Sequence, residues 1–98
     1  MDRELAIKLL KQHEGEIRAR GVTRLALFGS IVRNNARPDS DVDVVVDIEA
    51  DRKFSLIDHA SLQVLLCDIF GCETDVVIRE DLRPRFREEI ERDTLRVL

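Results

Sequence analysis

Leu27-Phe28-Gly29-Ser30-Ile31-Val32-Arg33, followed after a short gap by Ser40-Asp41-Val42-Asp43-Val44-Val45-Val46-Asp47-Ile48, is the stretch that decides the fold. Its second half alternates. Val42, Val44, Val46 and Ile48 take one face of an extended chain, while Asp41, Asp43, Val45 and Asp47 take the other, as the period of two in a strand requires. The spacing predicts a strand over 41–48 with one buried side and one side bearing carboxylates. Upstream, Val22 to Phe28 is short and rich in strand formers, and Gly29-Ser30 stops it.

These residue types in this order point to phosphate chemistry. Gly29 lets a backbone approach a phosphate closely. Ser30 adds an amide and a hydroxyl at the start of a short helix expected over 30–36, where free amides and a positive dipole favour anions. Asp41 and Asp43 sit two apart on one strand face, roughly 7 Å along the chain. Oxygen ligands at that separation suit two Mg²⁺ ions about 3.5–4 Å apart, the arrangement used for in-line phosphoryl chemistry. Gly29 ends the first strand and Asp41 begins the second, so they share a site only if those strands are antiparallel neighbours. Asp75 lies early in a third predicted strand, 73–78. Bringing it to the same site requires strands two and three to run parallel, with a helix over 55–70 as the crossover.

The remaining elements follow from period and punctuation. Ala6, Leu9, Leu10, His13 and Ile17 form the apolar side of a helix over 2–20, closed by Gly21. Residues 37–40 read as a turn and 49–54 as a polar loop. Ser55 with Asp58 is a capping pattern for the 55–70 helix, which is mostly apolar and expected to be well buried, with Gly71 closing it. A charged helix over 82–95 enters near Pro84. The expected order is αβαβαβα. This is an α+β fold, one domain over 1–98, with a three-stranded mixed sheet covered by helices.

Composition limits the partners. The chain has 98 residues with 16 Lys+Arg against 20 Asp+Glu, a net charge of −4 and a pI near 5.2. Proteins that grip nucleic-acid polymers need a basic surplus on some face, so direct polymer binding is not expected. Four Phe with no Tyr or Trp also supply too few stacking platforms for a polymerase channel. No apolar run is long enough for a membrane span, and Met-Asp-Arg-Glu lacks the layout of a signal peptide; a cytoplasmic protein is expected. Cys67 and Cys72 lack the paired spacings of a zinc site and read as reduced, space-filling thiols. His13 and His59 lie on helices and read as structural.

The run from Leu27 to Arg33 with Ser40-Asp41-Val42-Asp43 resembles the signature of DNA polymerase β-like nucleotidyltransferases, and the short length resembles the minimal nucleotidyltransferase (MNT) antitoxins among them. The likeness covers roughly residues 5–95. Asn34 stands where the family usually has Gly after the arginine. The resemblance implies the polymerase β-like core. It implies Gly29, Ser30 and Arg33 as nucleotide-binding residues. Asp41, Asp43 and Asp75 become catalytic residues holding two Mg²⁺ ions. It further implies ATP as substrate and AMP transfer to a tyrosine hydroxyl of a cognate HEPN-domain RNase toxin, in a hetero-oligomer with that toxin. A chain this short has no room to wall a second substrate, which suits an acceptor supplied by another protein. Two alternatives stand: an antitoxin that works by contact alone, and a transferase for small molecules of the aminoglycoside type. Arg79, Arg83, Arg85, Arg87, Arg92 and Arg96, interleaved with Glu80, Glu88, Glu89 and Glu91, form either a solvated face or a docking face, and the 49–54 loop is a further candidate lip.

Overall fold

The computed structural model describes residues 1–33 and 41–98. The expected turn over 37–40, and the later part of the 30–36 helix, lie outside them. In chain order the elements are helices α1 (Arg3–Gln12) and α2 (Glu14–Ala19), strand β1 (Val22–Phe28), a 3₁₀ turn (Gly29–Ile31) and strand β2 (Val42–Ile48). Helix α3 (Leu56–Phe70), strand β3 (Thr74–Ile78), a second 3₁₀ turn (Arg79–Asp81), helix α4 (Pro84–Arg92) and strand β4 (Thr94–Arg96) follow.

The sheet has the order β3-β2-β1-β4. β1 and β2 are antiparallel and β2 and β3 parallel, as the gathering of the acids required. The sheet differs from expectation in having four strands. The expected last helix stops at Arg92, and Thr94–Arg96 pairs antiparallel with β1 through Ala26, Leu27 and Phe28. The chain then locks down through Val97 N–H to Leu25 C=O at 2.9 Å and Leu98 N–H to the same oxygen at 3.1 Å. A three-residue edge strand directly after a helix is too short to show a period, although Thr94-Leu95-Arg96-Val97 does alternate.

The expected 2–20 helix is two helices. His13 ends α1 and begins α2 with φ −109° and ψ 17°. Gly15, a weak helix former, sits two residues beyond, and Glu14 and Glu16 favour a fresh N-terminus. Ala6, Leu10 and Ile17 are still delivered to the core. α3 begins with the expected capping box at Ser55 and Asp58 and closes at Gly71, whose left-handed φ of 68° directs its N–H to Cys67 C=O. The Ser55 backbone N–H, and then its hydroxyl, hold the Asp58 carboxyl below the usual aspartate range. Only one side of α3 is covered. Leu62, Leu66 and Phe70 are buried, but Leu56 is 85% and Ile57 80% exposed, correcting the expectation of a well-buried helix. The reason is its position: it is the crossover on one face of the sheet, with nothing among the described residues outside it.

The core lies between the helices and the face of the sheet carrying Val42, Val44, Val46 and Val76. The opposite face is the one bearing carboxylates, and it too is partly roofed: Val45 and Ala26 are buried. Arg79 fastens that roof. Its guanidinium donates to Asp47 on β2 and to Glu91 on α4, both at 2.7 Å, and Arg87 of α4 donates to the Arg79 carbonyl at 3.1 Å. Burial alone would lower the Arg79 pKa, but its two carboxylate partners outweigh burial and raise it. Arg79→Ala leaves Asp47, only 23% exposed, without its partner, and is expected to destabilise the fold by about 2 kcal/mol. Urea unfolding checks this; an unchanged midpoint would mean that α4 is held without the pairing of Arg79 to Asp47 and Glu91.

Candidate active site

β1, β2 and β3 place three residues in one row across the open face: Phe28 opposite Asp43, and Asp43 opposite Asp75. Registered neighbours point the same way, and adjacent strands lie about 4.8 Å apart, so the Asp43 and Asp75 carboxylates share a patch. Asp41 is exposed immediately before β2. Burial pushes the Asp43 carboxyl above the usual aspartate range, and the charges of Asp75 and then Asp41 push it the same way. The charges of Asp75 and Asp41 therefore both reach Asp43. Among the described residues none of the three is in a salt bridge.

This donor set fits a hard divalent cation in chemistry and charge: three carboxylates, mutually repelling and without a protein cation to offset them. Among the described residues no group of three or more metal-binding side chains surrounds a single point.

Gly29 enters its 3₁₀ turn with φ +79°, which favours glycine, and a Cβ there would meet Asp43 Oδ2 at 2.6 Å. The turn backbone thus lies directly against the acid. Ser30 and Ile31 complete the turn, whose opening amides have no partner within it. Where a helix over 30–36 was expected, the described part is this single turn. Arg3 of α1, not singled out from the sequence, steadies it by donating to Val32 C=O at 2.8 Å. Arg33 lies beside Gly29 at the same cavity but is paired with Asp93, just past α4, at 2.9 Å through one nitrogen. A guanidinium has five N–H donors, so that pairing leaves others for an anion.

Between this face and α4 lies a cavity of about 320 Å³. Phe28, Gly29 and Val77 form its floor, and Leu82, Phe86 and Ile90 its roof. Asp75, Glu89, Arg33 and Asp93 stand at its rim. The roof escaped the sequence reading because charges dominate 82–95, yet Leu82, Phe86 and Ile90 recur at i, i+4 and i+8 and could have been found. Among the six arginines of this segment, Arg79, Arg87 and Arg96 are spent on contacts within the fold. The 49–54 loop lines a separate small hollow with Ile78 and Glu80, away from the acid row. His59 bonds the Val76 carbonyl at 2.7 Å and His13 forms the junction of α1 and α2, so both are structural. Cys67 and Cys72 are free thiols, and burial raises the Cys72 pKa, which keeps it protonated.

A mixed sheet with an antiparallel β1–β2 pair, a close-approach glycine between them and acids in register across β2 and β3 defines the nucleotidyl-transfer class of fold. The chain belongs to the nucleotidyltransferase domain family, whose model matches residues 10–97. It is 34% identical over 90 residues to the protein adenylyltransferase MntA of Thermococcus cleftensis, spanning 91% of this chain and 89% of that protein. A solved candidate minimal nucleotidyltransferase is 35% identical, with a TM-score of 0.82 over 97% of this chain and 95% of that one. An MNT antitoxin in complex with a tri-AMPylated HEPN toxin from Shewanella oneidensis shares the fold, with a TM-score of 0.68 at 15% identity over 94% of this chain and 71% of that one. The chain is a nucleotidyltransferase of the minimal, polymerase β-like kind.

Proposed function

We propose that this chain is the antitoxin of a toxin–antitoxin pair and transfers AMP from ATP to a tyrosine hydroxyl of a HEPN-domain toxin. The observation that carries the reading is the registered row Phe28–Asp43–Asp75 beside Gly29. It is supported by the adenylyltransferase relative and by the AMP-bearing HEPN partner of the structural neighbour. Residues 1–98 would act as one minimal catalytic unit, with the acceptor hydroxyl supplied by the partner in a hetero-oligomer.

Asp41, Asp43 and Asp75 would hold two Mg²⁺ ions. When bound, these supply charge neutralisation on the phosphates and ease ionisation of the acceptor hydroxyl. The chain's own residues do the positioning. The Gly29 and Ser30 amides hold the β- and γ-phosphates, and the free nitrogens of Arg33 reach the same anion. Asp75, facing the cavity, accepts a hydrogen bond from the acceptor hydroxyl and aligns it. The bond formed is acceptor oxygen to α-phosphorus, the bond broken is the bridge from α-phosphorus to pyrophosphate, and the acceptor proton passes to water by way of Asp75.

The test uses ATP labelled at the α-phosphate, the purified toxin and Mg²⁺ added or chelated. Label is expected on a toxin tyrosine, dependent on Mg²⁺, with Asp75→Asn slower by about 10²–10³-fold. A toxin that is inhibited while unlabelled would overturn transfer and leave inhibition by contact; label on an aminoglycoside instead would move the acceptor to a small molecule.

A further inference from the structure

The cavity between the acid row and α4 meets the phosphate-holding residues at Gly29 and Arg33 and opens on Asp75, but its other walls are apolar. We infer that it is the acceptor subsite, that it takes a phenol ring, and that Phe86 is the residue favouring an aromatic over an aliphatic hydroxyl. This rests on the transfer reading above and adds where the acceptor sits.

Three properties of the cavity select the occupant. Its size, about 320 Å³, is at the small end of ligand pockets, roughly 300–1,000 Å³, and has ample room for an aromatic side chain. Its floor and roof are apolar through Phe28, Val77, Leu82, Phe86 and Ile90. A serine or threonine hydroxyl would leave that surface unfilled, and a polyhydroxylated drug would bury polar groups against it at a cost. A ring with an apolar body and a polar tip matches both ends. Its rim carries Asp75 with Glu89 and Asp93, carboxylates that accept a hydrogen bond from a phenol hydroxyl. A nucleoside lodged here would have to set its ribose hydroxyls among the apolar walls, whereas a phenol delivers its reacting oxygen directly to the acid row.

Phe86 is the distinctive wall. It is 59% exposed, so the fold does not need it for burial, and it stands on the cavity. Of the other exposed large apolar residues, Leu5 belongs to α1 and Leu56, Ile57 and Val64 to α3, all outside the lining of this cavity. An aromatic ring offered at the mouth of an apolar cavity can pack edge-to-face or offset against a second ring. That packing contributes only when the acceptor is aromatic.

The experiment separates this subsite from the transfer reading. The labelled full chain is titrated with N-acetyltyrosinamide, N-acetylphenylalaninamide and N-acetylserinamide, following the methyl resonances of Val77, Leu82 and Ile90. The two aromatic probes are expected to shift these methyls and the serine probe is not. Phe86→Leu is expected to weaken the aromatic probes by about tenfold and Phe86→Trp to retain them, while ATP affinity stays within twofold. With Mg·ATP present, N-acetyltyrosinamide should become adenylylated in preference to N-acetylserinamide, and Phe86→Leu should raise its KM more than it lowers kcat. Ring-independent shifts, or ATP moving the same methyls with its affinity lost in Phe86→Leu, would overturn the inference, the latter by making the cavity the base site. Ring-dependent shifts with no adenylylated product from any acceptor would leave the subsite standing and remove the transfer reading.

Discussion

Asp43→Asn is expected to slow nucleotidyl transfer by on the order of 10³-fold or more while making the metal-free protein more stable. The first effect follows if Asp43 is the central ligand of the row, since charge stabilisation by a metal site is worth several kcal/mol and 1.36 kcal/mol is tenfold in rate. The second follows from the same geometry. Burial, Asp75 and Asp41 all raise the Asp43 pKa above its ordinary 3.8, so the folded state opposes the ionised carboxylate. Between the ordinary and the raised value the folded protein binds more protons than the unfolded one, so stability falls as pH rises through that window. Above the raised value the full penalty remains. The difference in melting temperature between Asp43→Asn and wild type, measured in EDTA, should therefore be small below about pH 4 and should open in favour of the variant as pH rises. Mg²⁺ should then close the gap by stabilising wild type alone. A variant less stable than wild type at neutral pH in EDTA would mean that Asp43 is held by structural contacts and not by tension among acids.

Gly29→Ala should be nearly as damaging to activity, by a route that leaves every acid in place. The residue sits at φ +79°, and its new Cβ would lie 2.6 Å from Asp43 Oδ2. Either the turn or the carboxylate must move. The backbone conformation alone costs about 1–3 kcal/mol, and displacement of a reacting group by about 1 Å can cost about 10²-fold in rate. Gly71→Ala is the control. It has a similar φ of +68° but nothing within 4 Å of its Cβ, so it should lose stability and keep its rate. If both variants lose only stability, the close approach of Gly29 to Asp43 has no catalytic consequence. Since the two residues act on one contact, Gly29→Ala and Asp43→Asn should be strongly non-additive in combination.

Much of this architecture is legible in the sequence because the acids themselves constrain the topology. Gly29 at the end of one strand and Asp41–Asp43 at the start of the next can meet only through an antiparallel pair, and Asp75 can join only through a parallel one; both pairings are present. The capping box at Ser55 and Asp58 was equally plain, being a local signal with a local partner. The fourth strand was hidden because Thr94–Arg96 is fixed by its pairing to β1 and not by local propensity. The same holds for Arg79, whose roles toward Asp47 and Glu91 depend on where α4 settles. The engagement of Arg33 by Asp93, 60 residues away, is likewise tertiary. The cavity under α4 is hidden for a different reason: charged residues dominate 82–95 and flank the apolar row Leu82, Phe86 and Ile90 that roofs it.

The measurement that bears most directly on the central proposal is the intact mass of the adjacent-gene product after co-expression with wild type and with Asp43→Asn. Added AMP with wild type and none with Asp43→Asn is the expected result. A partner of unmodified mass, bound and silenced equally by both, would contradict it and leave a nucleotidyltransferase fold that neutralises its partner by contact.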